Sequence, residues 1–320
     1  MFHSDATPAA LIKGLATFLP GVNRLANRGT GGSDSARYCY SVWLRHLVRA
    51  RHADPALPIP AAVGEFGPGD SLGAGLAALL SGADAYYAFD AKTHASPERN
   101  LAVLETLTHL FSQREPIPDD VEFPHVIPKL SDYRFPHSIL PDDALAVALR
   151  PERIGAIRRS LEMPSSPGIP AIRYIAPWSD ASLMAPGTLD FLWSQAVMEH
   201  VDDIRSAYRA MHAWLRPGGF LSHSVDYDSH GHTRTWNGHW TVPRLTWRIA
   251  RGNRAYFINR QPHSAQRSEM QAAGFSIVCD ERMEGPPLPR HRLAAEFRHL
   301  DDVDLRTSGA FVQAVKPQHV

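Results

Sequence analysis

Along the first two-thirds of the chain, short apolar runs alternate with longer stretches in which apolar residues recur every three or four positions. Ala61-Ala62-Val63-Gly64 closes on Glu65, Ala85-Tyr86-Tyr87-Ala88-Phe89 on Asp90, and Phe220-Leu221-Ser222-His223-Ser224-Val225 on Asp226. Ala171-Ile172-Arg173-Tyr174-Ile175 and the stretch from Thr188 to Gln195 are two further runs of strand length. After Ser35, Ala36, Cys39, Tyr40, Trp43, Leu47 and Ala50 share one face and Arg37, Ser41, Arg45 and Arg49 the other, the period of a helix. Asp202 and Asp203 start another, with Ile204, Tyr208, Met211 and Leu215 in line, Arg216 complementing its C-terminal dipole and Pro217-Gly218-Gly219 stopping it. Strands alternating with helices predict an α/β fold, a mostly parallel doubly wound sheet with helices on both faces.

Two regions break the rhythm. Residues 112–168 run from Ser112 through Gln113-Arg114-Glu115-Pro116-Ile117-Pro118 and stay rich in proline to Pro141 before two short helical patterns, Asp142–Leu149 and Pro151–Leu161. The next strand comes too late for a direct crossover, so this segment is an insertion, serving either substrate selection or oligomerisation. Residues 1–58 hold the glycine stretch Gly29-Thr30-Gly31-Gly32 and the helix after it. They read as an N-terminal helical lid over a site, or as a helix packed on the sheet. The core domain then spans 59–320, with 227–270 as a cap on the substrate side.

Composition narrows the classes. The 320 residues are 44% hydrophobic and carry 33 basic and 33 acidic residues, a formal net charge of zero. Such a balance offers no footprint for nucleic acid or an anionic membrane. No apolar run is long enough to span a bilayer. Cys39 and Cys279 lie far apart in apolar segments and read as buried thiols of a reducing compartment, so a cytoplasmic location is expected.

The chemistry gathers around Glu65-Phe66-Gly67-Pro68-Gly69-Asp70-Ser71. A strand ends in an acid, two glycines make a turn, and an Ala/Leu/Gly-rich helix begins. A glycine turn admits a ligand to bare backbone, and the free N–H groups and positive dipole end of the helix favour a carboxylate or phosphate. A dinucleotide fingerprint fails because Leu72 stands where its third glycine belongs, and no lysine completes a P-loop. Asp90, at the tip of the neighbouring parallel strand, is placed to accept hydrogen bonds from a ribose.

This arrangement resembles the S-adenosylmethionine (SAM) site of class I methyltransferases, with Glu65–Gly69 similar to their first motif and Asp90 to their second. Ser71 stands where that family often has a third glycine. A second motif set follows in the right order: Thr188-Leu189-Asp190-Phe191-Leu192-Trp193-Ser194-Gln195, then Glu199-His200, a helix, Leu215-Arg216-Pro217-Gly218-Gly219 and a strand. It is similar to the fourth-to-fifth-strand unit of small-molecule methyltransferases, and the whole chain resembles bacterial members associated with surface-glycan assembly. The resemblance implies a Rossmann-like sheet with an antiparallel final strand, the segments 274–278 and 309–315 being its closing antiparallel strand pair. It implies SAM as cofactor, held by Glu65, Gly67, Gly69, Asp70 and Ser71 at its amino-acid end and by Asp90 at its ribose. Trp178 and Ser179 would flank the adenine, and Ser194 would also lie against the cofactor. Both acids are expected at strand tips outside the core.

The acceptor side is less defined. His200, and His230 with Asp226 and Asp228 nearby, are candidate bases for a hydroxyl acceptor, and each reads equally as a residue that holds or coats a loop. Some 2-hydroxyl-modifying family members bind a divalent ion through an acid, a Glu-His pair and a later histidine. Here Ala196 takes the first position, leaving Glu199, His200 and His223, so no metal is expected. The aromatics, Arg and Asn of residues 227–270 suit a saccharide or a packed arginine-rich cap alike. The expected reaction is methylation of a small-molecule or saccharide acceptor, on oxygen. The alternatives are a SAM-binding protein without catalysis and a nicotinamide-dependent oxidoreductase. Oligomeric state is left open.

Overall fold

A computed structural model describes residues 5–19, 32–163, 170–178, 180–254 and 256–318. The elements in order are α1 (Pro8–Ala16), α2 (Ala36–Ala53), β1 (Ala62–Phe66), α3 (Gly73–Leu80), β2 (Ala85–Phe89) and α4 (Pro97–Gln113). Next come α5 (Asp142–Ala148), α6 (Pro151–Glu162), β3 (Ala171–Ile175), β4 (Leu189–Gln195), α7 (Ile204–Trp214) and β5 (Leu215–Asp226). The chain ends with α8 (Arg244–Arg251), α9 (His263–Ala272), β6 (Ser276–Glu284), α10 (Asp302–Arg306) and β7 (Thr307–Val315).

Seven strands form one sheet in the order β3-β2-β1-β4-β5-β7-β6. The first five are mutually parallel, and β7 enters between β5 and β6, antiparallel to both. The strand order reverses between β1 and β4, and the crevice at the carboxyl ends of those strands is where such sheets take ligands. The expected mostly parallel sheet with an antiparallel final strand is present, and that strand is interior, with β6 at the edge.

Side chains alternate across the strands and feed two cores. Val63, Tyr86, Ala88, Phe191 and Trp193 pack under α2, α3 and α4. Phe66, Phe89, Leu192 and Leu221 pack under α7 and α9, where Phe89 stacks on Trp214 at 4.3 Å between ring centroids. Apolar residues on both faces are what a covered parallel sheet requires. Ser35 caps α2 by accepting from the Tyr38 amide, and Asp203 caps α7 through the Ser206 amide. The Pro217-Gly218-Gly219 turn is drawn into β5, which starts at Leu215 directly after α7.

The N-terminal region divides. Helix α1 packs against α8, whereas α2 is largely buried in the first core beside α3 and α4. The insertion is pinned to α2 by Arg45, whose buried guanidinium donates to the carbonyls of Pro118, Val126 and Pro128 and to Asp120. Its tip reaches the start of α2, where Glu122 pairs with Arg37 and Phe123 meets Tyr38 edge-on at 5.6 Å. Part of the insertion (164–168) and part of the glycine stretch (29–31) lie outside the described residues.

Candidate functional site

Between β1 and α3 the backbone turns through Gly67 and Gly69, at φ +67° and +75°, a region side chains disfavour. The turn is fixed from beneath, because the Gly67 amide donates to the Phe89 carbonyl at 2.8 Å. A Cβ on Gly67 would lie 2.5 Å from the Val197 side chain, so the turn after β4 closes directly on the glycine loop. Bare backbone is needed there for the two loops to meet.

Glu65 does not lie outside the core. It is 5% exposed, sealed between sheet and α3, and accepts a hydrogen bond from the Tyr86 hydroxyl. Gly75 makes this possible: a Cβ there would overlap the Tyr86 ring at 2.0 Å. Burial pushes the Glu65 carboxyl up to about 8, against the lowering effect of the Tyr86 hydrogen bond. Asp90 is 8% exposed at the end of β2, and its Oδ1 accepts from the Ala91 amide at 2.7 Å. Burial raises its pKa as well. The expectation that these acids stand at exposed tips misjudged the depth to which α3 and the following loops cover the sheet.

The amides at the start of α3 are largely engaged. Ser33 Oγ accepts from the Asp70 amide at 2.7 Å, and the Ser33 carbonyl accepts from the Ser71 hydroxyl. Asn100 takes the Leu72 amide and Ser71 Oγ takes that of Gly73, at 2.9 and 3.1 Å. Arg99 donates to the Asp70 carbonyl. The end of the glycine-rich N-terminal stretch thus sits on the loop expected to offer free N–H groups.

Trp178 is half-buried, packs edge-on against Phe66 at 4.8 Å, and is held by its amide on the Asp90 carbonyl at 2.8 Å. Ser179 lies outside the described residues. Ser194 is fully buried, its hydroxyl 2.7 Å from His223 Nδ1. His223 is thereby committed to the core, and burial beside His46 lowers its pKa to about 3.

The turn after β4 carries the second half of the site. Glu199 is 3% exposed, and neither carboxylate oxygen makes a hydrogen bond of ordinary geometry with a described residue. Burial, with Asp226 nearby, pushes its pKa well above the carboxylate range. His200 stacks obliquely on His230 at 5.3 Å, and burial followed by His230 lowers the His200 pKa to about 4. One carboxylate oxygen of Glu199 and one ring nitrogen each from His200 and His230 lie within 4.8 Å of one another. This corrects the set read from the sequence, in which His223 was the third candidate. Two imidazoles and a carboxylate can relay a proton, and the same donors suit a divalent transition metal.

Sequence reasoning counted Tyr256 among the cap aromatics without placing it, and missed Tyr38. Tyr256, at φ +61°, faces His94 at 6.0 Å between ring centroids and lies 5.5 Å from the Lys92 ammonium, so the cap reaches the loop after β2. Burial raises the Tyr38 pKa, and Cys39, Glu65 and Glu199 add smaller upward effects. No local pattern marks Tyr38. The remaining cap aromatics serve packing: Trp240 is fully buried, and Arg260 lies between Trp247 and Phe297 at 4.9 and 4.7 Å.

A family model described as "Methyltransferase domain" matches residues 65–280, two-thirds of the chain, from the first acid of the glycine motif into β6. The chain belongs to that family. It is a class I SAM-dependent methyltransferase, an enzyme with S-adenosylmethionine as cofactor. This membership answers the nicotinamide alternative. Among solved structures, the chain is 15% identical to a SAM-dependent methyltransferase from Mesorhizobium loti, covering 89% of this chain and 100% of that one, with a TM-score of 0.42. It is 15% identical to phosphoethanolamine N-methyltransferase 2 of Haemonchus contortus in complex with SAM, covering 89% and 57% of the two chains, with a TM-score of 0.42. No curated protein matches the chain. No helix among the described residues is long and apolar enough to cross a membrane.

Proposed function

We propose that this methyltransferase methylates a hydroxyl of a small-molecule or saccharide acceptor. The observation that carries the reading is the gathering of Glu199, His200 and His230 beyond β4 and β5, on a turn that closes against the glycine loop. Gly67, Gly69, Asp70 and Ser71 would hold the amino-acid end of SAM, with Glu65 beneath them. Asp90 would take the ribose, Trp178 and Ser179 the adenine, and Ser194 would support the cofactor from within the sheet. Bound SAM supplies a methyl on a sulfonium, a good leaving group. That methyl would go to the acceptor oxygen, with the electron pair of the S–C bond left on sulfur. The hydroxyl proton passes to His200 or His230; burial keeps the His200 imidazole neutral, the form that accepts a proton. In this reading the 227–270 cap and the tip of the 112–168 insertion border the acceptor.

The lid role assigned to residues 1–58 narrows to the segment before α2. Ser33 occupies the Asp70 amide, so cofactor entry displaces it. Ser33→Ala should therefore bind SAM more tightly than the wild type.

Calorimetric titration with SAM and its demethylated product, followed by transfer of labelled methyl to a panel of sugars and phenols, tests the reading. Labelling of amines and of no hydroxyl compound would overturn it. A second reading, a divalent ion on Glu199, His200 and His230 that activates the acceptor, is favoured by the buried Glu199 carboxylate, which makes no hydrogen bond of ordinary geometry with a described residue. Loss of activity on chelation and its return with zinc or manganese would select it.

A further inference from the structure

The zero net charge conceals a segregation. Residues 229–268 carry seven arginines and no Asp or Glu, and residues 6–33 carry Lys13, Arg24 and Arg28 and no acid. The described parts of these segments pack together. Helices α1 and α8 cross so closely that a Cβ on Gly14 would lie 2.1 Å from the Ile249 carbonyl oxygen. Ala10, Gly14, Trp247 and Ala250 face inward and are buried.

The outward faces are apolar. Ile12, Leu15, Phe18 and Leu19 on or just after α1, and Leu245 and Ile249 on α8, are exposed. These six make up half of the twelve exposed large hydrophobic side chains of the described residues, so the apolar surface is concentrated rather than scattered. Lys13, Arg244 and Arg248 stand exposed beside them, and none of the three makes a side-chain hydrogen bond or ion pair with a described residue. On α8 the pairs Leu245/Ile249 and Arg244/Arg248 form adjacent stripes one turn long, with Trp247 and Ala250 opposite.

Short helices that present Leu, Ile and Phe beside unpaired Lys and Arg, with no acids, suit the headgroup region of an anionic bilayer. There the apolar side chains leave water and the cations meet lipid phosphate. Basic charge alone would suit nucleic acid equally, but the apolar stripe would stay in water on that partner. We propose that α1 and α8 form a docking surface for an anionic lipid bilayer.

The surface adjoins the acceptor side. The Thr7 amide donates to the His232 carbonyl at 3.0 Å and Ala6 bridges to Thr233, two and three residues beyond His230. Docking through α1 therefore holds the His230 loop near the membrane. If the proposed O-methylation is correct, on which this clause alone rests, the acceptor is a polar head, such as a saccharide, carried on a lipid.

The test is co-sedimentation of the full chain with phosphatidylcholine vesicles, with and without phosphatidylglycerol. Binding should require phosphatidylglycerol and weaken with added salt. Arg244→Glu/Arg248→Glu should weaken it at least about tenfold. Leu245→Ser/Ile249→Ser should do likewise, and thermal melting should show both variants folded, because all four positions are exposed. No binding to either vesicle, or unchanged binding by both variants, would overturn the surface. So would a dimer in light scattering that the Leu245→Ser/Ile249→Ser variant dissociates, or RNA binding that depends on the arginines and ignores Leu245. SAM titration of the same samples reads the cofactor site separately: intact SAM binding without vesicle binding counts against this surface alone.

Discussion

The backbone amide of Asn259 donates to the Glu199 carbonyl at 2.7 Å, joining the cap to the turn that carries the candidate catalytic groups. The Asn259 side chain completes the clamp, donating to the carbonyls of Met198 at 2.8 Å and Val201 at 2.7 Å. A residue that reads from sequence as either a saccharide contact or part of a packed cap braces the Glu199-His200 turn.

Asn259→Ala should therefore lower methyl transfer while leaving SAM affinity near the wild-type value. The Met198 and Val201 carbonyls each lose one hydrogen bond, a cost of about 2 kcal/mol in stability. Denaturant unfolding and single-turnover kinetics check the two parts. A large loss of SAM binding with normal turnover at saturation would contradict the assignment.

Gly67→Ala should abolish most SAM binding. The substitution forces a side chain into φ +67° and drives its Cβ into Val197. An affinity drop of at least about tenfold is expected, since strain of 1–3 kcal/mol is typical of such positions. Titration with SAM measures it. Val197→Ala in the same chain should restore part of the affinity by relieving the contact.

Glu65→Gln separates charge from shape. The folded pKa of Glu65 is raised to about 8 from 4.5, so the folded state holds a proton that the unfolded state releases between these values. The stability from this group is full below pH 4.5 and is lost as pH rises through about 8. The glutamine variant should escape that loss, melting higher than the wild type at pH 8.5 and about equally at pH 5. Its SAM affinity should fall if the carboxylate supports the cofactor. Identical melting curves at both pH values would refute the buried-acid account.

His46 works in the opposite direction. It is fully buried between Ser222 Oγ at 2.7 Å and Gln195 Oε1 at 3.1 Å, and burial lowers its pKa to about 4. Its contribution to stability is full above pH 6.5 and is lost as pH falls toward 4, because the unfolded chain then binds the proton more readily. Between pH 7 and 5.5 this one group should cost on the order of 1 kcal/mol. His46→Gln should flatten that part of the pH–stability curve, read by urea unfolding.

The chain order of strands and helices, the glycine loop and the Glu-His turn were legible in the sequence because each is a local pattern. An apolar run of strand length, a pair of glycines before a helix and an acid at a strand end need no distant partner to be recognised. Family membership followed from the same local motifs, which the matched residues 65–280 span. Local pattern also set the two cores, since alternation along β1, β2 and β4 assigns their side chains to opposite faces.

What only the tertiary structure decided is which groups share a space. His223 goes to Ser194 and His230 to Glu199 and His200, a choice fixed by strand register and by the path of the loop after β5. The depth of Glu65 depends on Gly75 letting α3 settle on Tyr86, and Ser33 reaches the Asp70 amide across thirty-seven residues. A net charge of zero is likewise a sum over the chain. It carries no position, and only the crossing of α1 on α8 gathers distant, acid-free segments onto one face. Sequence fixes local conformation through short-range sterics and periodicity, whereas long-range juxtaposition is settled by packing.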